Sequence, residues 1–286
     1  MPKIIKRDGH THTHYCLHAS GEHAEEYVRR AIEKGFTMYS FTEHLPFPDS
    51  FWSFFPYSEG TKRQLGLRDN DLDGYFREMY ALKKKYRDRI ELKVGLEIDF
   101  LPTETAYLRR MLKEYGKFLE DGLLSVHIIE GCGGFRCVDV SPADFEEGVI
   151  KHYGSYEEAQ KAYFQTVKEA LRTDLGPYKP KRIGHFTLCN KFQCYFGQEG
   201  KMSEATRNLV VDLLKEMKEQ GYSLDVNVAG LFKEYCREIY LSPWIVQAAK
   251  QLGIPLVYGS DAHASSQVGR AYEEYEQIVG EKNGES

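Results

Sequence analysis

Short apolar runs along this chain alternate with longer stretches in which apolar residues return every three or four positions, the signatures of buried strands and amphipathic helices. Ile4 and Ile5 predict a first short buried strand. A helix is expected after Ser20, with Ser20 as N-cap, Glu22 in the first turn, Ala24, Val28, Ala31 and Ile32 on one face and Gly35 at its end. Residues 36–41 read as a strand that runs into Thr42-Glu43-His44, residues 73–86 as a helix, and 90–98 as a strand carrying Glu97 near its end. The alternation continues with a helix over 104–120, a strand over 123–127 ending on His127, a helix over 156–171 and a strand over 182–185 ending on His185. A helix over 203–220, a strand over 222–228, a helix over 243–251, a strand over 254–260 leading into Asp261-Ala262-His263, and a helix over 271–279 complete the chain. Two segments break the rhythm. In 45–74, Pro46, Pro48 and Pro56 stand among Phe47, Phe51, Trp52, Phe54, Phe55 and Tyr57, which predicts either a cap over a barrel end or a lid over a site. The glycine-rich stretch 131–134 leads to Arg136.

Strand and helix repeated six or seven times predict an α/β architecture with a parallel sheet. The ionisable residues sharpen this. His10, His12, His44, Glu97, His127, His185, Asp261 and His263 all fall at or just past the C-terminal ends of expected strands. In a closed parallel barrel those ends converge on one face. An open doubly wound sheet gathers ligands only at its switch point and does not join so many strands. The pattern therefore favours a barrel. In Asp8-Gly9-His10-Thr11-His12, an extended backbone points His10 and His12 to the same side, a spacing that lets two imidazoles share one ion.

Composition narrows the function. The 286 residues are read as one domain spanning 1–286, with 42% hydrophobic residues for its core. A net charge of -5 argues against a nucleic-acid partner. No apolar run approaches the roughly 18 residues of a membrane span, and no signal-like apolar region opens the chain, so a cytoplasmic protein is expected. Six cysteines in a chain of this length do not imply a disulfide framework, and the C-x4-C spacings of Cys132/Cys137 and Cys189/Cys194 read as inert thiols. Of the ten histidines, His14 sits beside the cluster but one alternation too far, and His23, in a helix, and His152, in a polar loop, are taken as ordinary residues. Imidazole with carboxylate suits zinc, manganese or iron. The eight strand-end residues plus His18 exceed what one tetrahedral ion needs, which implies two or three divalent ions.

His10-x-His12 with His18 six further on, Thr42-Glu43-His44, Gly95-Leu96-Glu97, Ser125-Val126-His127, Gly184-His185 and Gly259-Ser260-Asp261-Ala262-His263 together resemble the polymerase and histidinol phosphatase (PHP) family. They span almost the whole chain in the family's order. The resemblance implies a distorted (β/α)7 TIM-like barrel. It further implies that His10, His12, Glu97 and Asp261 hold a first ion, Glu97 bridges to a second held by His127 and His185, and His18, His44 and His263 hold a third. The length, the stretch 131–136 and Asn227-Val228-Ala229-Gly230-Leu231 resemble the histidinol-phosphatases of histidine biosynthesis within that family. Hydrolysis of a small phosphate ester, L-histidinol phosphate, is then the expected reaction.

Coordination would bring a water's pKa toward neutrality and neutralise phosphoryl oxygens. Glu97 and Asp261 are the expected catalytic carboxylates, and Arg182 and Arg136 the expected phosphate clamp, with Arg270 a weaker third. Another PHP-type phosphoesterase, an amidohydrolase-type hydrolase, which would leave His18, His44 and His263 without a role, and a non-catalytic metal-binding barrel are the competing readings.

Overall fold

The computed structural model describes residues 5–62, 65–67 and 71–280. Seven strands, numbered here in chain order, form one parallel sheet: β1 Arg7–Asp8, β2 Met38–His44, β3 Glu91–Asp99, β4 Asp121–Ser125, β5 Arg182–Ile183, β6 Ser223–Asn227 and β7 Leu256–Gly259. They neighbour one another in sequence order, β2 to β3 in a continuous register that sets His44 beside Glu97. The ring closes between its two ends. Gly9 N donates to Tyr258 O at 2.8 Å, Asp261 N to His10 O at 2.8 Å, and His12 N to Ala262 O at 3.0 Å. The expected barrel is therefore present.

Seven longer helices pack outside: α1 Ala24–Glu33, α2 Leu72–Tyr86, α3 Thr105–Tyr115, α4 Tyr156–Arg172, α5 Glu204–Glu219, α6 Pro243–Leu252 and α7 Tyr272–Gly280. Each of α1 to α6 turns an apolar stripe to the sheet, as with Leu72, Tyr75, Phe76, Met79 and Leu82 of α2. Strands covered on both faces bury nearly every side chain, and β2 is buried from Tyr39 to His44.

Some details differ from the expectations. Ile4 lies outside the described residues and Ile5 is 64% exposed; the first strand is Arg7–Asp8, whose polar residues are held in the barrel floor. Ser20 does not cap α1: its hydroxyl donates to Glu22 Oε2, and His23 occupies the cap position without a side-chain hydrogen bond. The cap expected from a hydroxyl went instead to Ser155 and Ser203, which accept from Glu158 N and Thr206 N.

After His127 the chain forms an antiparallel hairpin, Ile128–Gly131 with Gly134–Cys137, rather than an irregular loop. The aromatic segment docks on it. Phe51 is fully buried with its ring 5.4 Å from Phe135, and the Tyr57 hydroxyl donates to Asp144. Gly134 makes this close approach possible, with φ at +130° and Phe54 O only 2.2 Å from where a Cβ would stand. Hence 45–62 is ordered local structure that caps the barrel end, while Phe47 and Thr61 also face the central cavity.

Candidate metal centre

All nine expected ligands gather at the C-terminal end of the barrel. His10 and His12 sit on the strap that closes the ring, His44 ends β2, Glu97 lies near the end of β3, and His127, His185 and Asp261 each follow a strand by two residues. Two of them need unusual backbone: Asp261 has φ +50° and His185 φ +20°. Such conformations cost on the order of 1–3 kcal/mol each and collect where a side chain must be aimed.

Glu97 stands at the centre, only 1% exposed, and its two oxygens face different histidines. Oε2 lies 3.2 Å from His10 Nε2, 3.4 Å from His12 Nε2 and 3.4 Å from His44 Nδ1. Oε1 lies 2.8 Å from His185 Nε2 and 3.9 Å from His127 Nε2, and accepts from the Ser125 hydroxyl at 2.6 Å. Asp261 Oδ1 completes the first group at 3.3 Å from His12 Nε2 and 3.8 Å from His10 Nε2. To one side, His18 Nε2 and His263 Nε2 meet at 2.9 Å. One donor atom from each of His10, His12 and Glu97 falls within 4.8 Å of the other two; the same holds for Glu97, His127 and His185, and for His12, Cys16, His44 and His263.

The chemistry of this donor set fits divalent ions. Three of the inward imidazoles are held from behind by carboxylates: His10 Nδ1 by Asp225 at 2.7 Å, His12 Nδ1 by Glu43 at 3.1 Å, and His127 Nδ1 by Asp99 at 2.5 Å. A carboxylate behind a histidine fixes the tautomer that offers Nε2 to an ion. His44 Nδ1 and His185 Nδ1 are buried without hydrogen-bond partners.

Asp225, Glu43 and Asp99 were absent from the expected set. The available signal was a carboxylate within the buried part of each of three strands, where an unpaired charge is untenable. Cys16 was missed as well; burial and the nearby Glu43 push its thiol up to about 12.

Electrostatics say how the site behaves without ions. Burial disfavours charge on His10 and His12. Glu97, Asp225 and Asp261 around His10, and the hydrogen bonds of His12 to Asp261, Glu43 and Glu97, outweigh it and hold both rings well above the usual imidazole range. Burial likewise opposes charge on Glu97 and Asp261, yet the imidazoles around them, His10 foremost, hold both carboxyls well below the usual range. His263 is pushed well down by burial and by the charge on His12. Burial also opposes charge on His127, but Asp99 raises it to about 10, so at neutral pH the carboxylates are ionised and His10, His12 and His127 carry protons. Ions must displace those protons, so affinity weakens as pH falls. Zinc added to ion-free protein at pH 7 should release protons into the buffer, measurable by titration calorimetry in buffers of differing ionisation enthalpy. Zinc uptake without proton release would contradict the assignment.

The two expected arginines are elsewhere. Arg182 begins β5, and at roughly 3.3 Å per residue it lies about three residues' rise below His185, toward the opposite end of the barrel. There it is 4% exposed, donates to Gly9 O at 2.6 Å and pairs with Asp121 Oδ1 at 3.0 Å. Arg136 is spent within its own hairpin region, on Cys132 O at 2.9 Å and Asp144 Oδ1 at 3.0 Å. Neither lines the cavity of about 480 Å3 above the cluster, whose lysines and arginines among the described residues are Lys191, Lys233 and Arg270. Arg270 is braced by Ser260 O at 2.9 Å and Asp261 O at 3.0 Å.

Comparison with known proteins agrees with this geometry. The family model for the PHP domain matches residues 8–229, and the PHP-associated model matches 245–282. The first segment supplies His10 through His185 and the second Asp261 and His263, so the site draws on both. The histidinol-phosphatase of Bacillus subtilis (strain 168) is 39% identical over 270 residues, 94% of this chain and 98% of that protein. A crystal structure of a Listeria monocytogenes protein described as a histidinol phosphatase matches at TM-score 0.93 and 42% identity, covering 94% of this chain and 100% of that one. A histidinol phosphate phosphatase from Lactococcus lactis, crystallised with zinc, L-histidinol and phosphate, matches at TM-score 0.71 and 18% identity over 96% of this chain and 93% of that one, and so shares the fold. The chain belongs to the PHP family and is similar to its histidinol-phosphatases.

Proposed function

We propose that this protein is a metal-dependent phosphomonoesterase that hydrolyses L-histidinol phosphate to L-histidinol and phosphate in histidine biosynthesis. The observation that carries the reading is the division of Glu97, one oxygen toward His10 and His12 and the other toward His127 and His185. In this reading His10, His12, Glu97 and Asp261 hold one ion, Glu97, His127 and His185 a second, and His18, His44 and His263 a third. Zinc, manganese or iron in those positions supplies an acidified water at neutral pH and positive charge beside the phosphoryl oxygens.

The chain's own groups do the rest. Glu97 and Asp261, both ionised, hold positive charge at the cavity floor. Arg270 and Lys233, on the cavity wall, add cations for the ester's phosphate in place of Arg182 and Arg136. Asp139, on the same wall, is half-buried; desolvation opposes its charge, but Lys191 and His127 hold its carboxyl down to about 2, and we assign it to the substrate's amine. Because opposite ends of the chain, His10 and His263, meet in one site, residues 1–286 work as a single unit. Among the described residues no helix is long and apolar enough to cross a membrane. Six free cysteines and a biosynthetic relative support placement in the cytoplasm.

The test compares catalytic efficiency on L-histidinol phosphate with that on alkyl, sugar and nucleotide phosphates, for the wild type and Asp139→Asn. Histidinol phosphate should be preferred. Asp139→Asn should lose roughly 10-fold or more on it, since a buried amine would face no counter-charge, and should hydrolyse an alkyl phosphate as before. Preference for another ester would leave a phosphatase without the biosynthetic role, and equal losses on both substrates would remove Asp139 from amine recognition.

A further inference from the structure

A second group of ligand type lies outside the cavity, on residues that the reaction does not use. His14 follows the closing strap, His23 caps α1 and Glu78 is on α2. One donor atom from each lies within 4.8 Å of the other two. His14 Nε2 stands 3.4 Å from Glu78 Oε2, and the His14 and His23 rings meet edge to face with centroids 5.2 Å apart. Bonds of about 2.0–2.2 Å around a tetrahedral zinc set neighbouring ligand atoms roughly 3.3–3.6 Å from one another. The His14–Glu78 edge already has that spacing, and His23 is exposed and free to complete it by side-chain rotation.

Two further observations describe these ligands. The Nε2 of His14 is the atom that faces Glu78, and its Nδ1 is buried without a hydrogen-bond partner. The Tyr15 hydroxyl donates to that same Glu78 oxygen, Oε2, at 3.1 Å and so holds the carboxylate beside His14, as outer groups hold ligands in metal sites.

We propose that His14, His23 and Glu78 bind one divalent ion of the zinc class, separate from the ions at the barrel mouth, with water completing its coordination. Two imidazoles and one carboxylate suit zinc better than magnesium or calcium. The ion fastens both ends of the segment 14–23 to α2. His18 lies within that segment, so binding stiffens the stretch that carries His18 whether or not His18 itself takes an ion.

The experiment uses the full chain with its active-site ions already loaded, titrated with zinc alone by equilibrium dialysis and followed by thermal unfolding. Wild type should take up one further equivalent and unfold at higher temperature in its presence. His23→Gln, at an exposed position where the fold should be unaffected, should lose both the equivalent and the shift, and Glu78→Gln should do the same. Retention at this position should weaken by more than the roughly 10–100-fold typical of losing an outer partner. His152→Ala, the control for an exposed histidine, should behave as wild type. Equal zinc stoichiometry and an equal shift in wild type and in both variants would overturn the proposal.

Discussion

Glu97→Gln should reduce phosphate release by well over the roughly 10–100-fold seen when an outer partner of a metal ligand is removed, and should lower the metal content in the same preparation. The side chain keeps its volume, so the barrel has no cavity to refill. What changes is that a carboxylate serving two groups of imidazoles becomes a neutral amide with one acceptor oxygen. The Nε2 atoms of His10 and His12 lie 3.2 and 3.4 Å from one oxygen, and that of His185 lies 2.8 Å from the other. Both groups therefore lose charge at once. His152→Ala should leave activity and metal content unchanged, because that ring lies on the outside against Tyr153. Metal analysis beside a phosphate-release assay checks this. A Glu97→Gln protein with full metal content, or a His152→Ala protein equally impaired, would contradict the separation of ligands from bystanders.

The second large effect is expected one layer further out. Asp225 is fully buried and accepts from His10 Nδ1 at 2.7 Å, from Asn227 Nδ2 at 3.2 Å and from His185 N at 3.3 Å. Asp225→Asn removes the charge that fixes the His10 tautomer while keeping the shape. Activity and metal affinity should each fall by about 10–100-fold, and excess metal should restore part of the activity. A variant with wild-type metal affinity and activity would show that His10 does not depend on Asp225. A variant that lost activity at full metal occupancy would place Asp225 in the chemistry itself.

Much of the barrel was legible because parallel strands buried on both faces read as short apolar runs, and because each run ended on a residue that a core does not hold without reason. His127 and His185 stood out for that cause. The register of the closing strap was legible for another, since His10 and His12 alternate with Thr11, which turns away and donates to Ser40 O at 2.7 Å.

The outer carboxylates were harder to see. Glu43 lies beside His44 in sequence yet faces His12, a contact across strands that periodicity does not report. Arg182 was misplaced because proximity in sequence to His185 was taken for proximity in space. Along a strand, three residues separate the mouth of a barrel from its floor. There Arg182 and Arg7 hold the buried Asp121 carboxyl below its usual range against the cost of burial. The hairpin after His127 depends on Gly131, Gly133 and Gly134; a Cβ would stand 2.4 Å from Gly148 O at Gly131 and 2.2 Å from Phe54 O at Gly134, close approaches of backbone that lies apart in sequence. His14 was set aside as one alternation too many and His23 as a residue of the first helix. Their meeting with Glu78 is made by the turn over 14–23, whose shape no period in the sequence encodes.

The central claim is that Glu97 is shared between ions at the C-terminal mouth of the barrel, and crystallography of metal-loaded protein at the absorption edge of the bound element tests it most directly. Anomalous peaks are predicted on both sides of that carboxylate, one within about 2.0–2.2 Å of His10, His12, Glu97 and Asp261 and another within the same distance of Glu97, His127 and His185. A fully loaded, active protein with a single peak, or with peaks that leave Glu97 without a bond to either, would contradict the account.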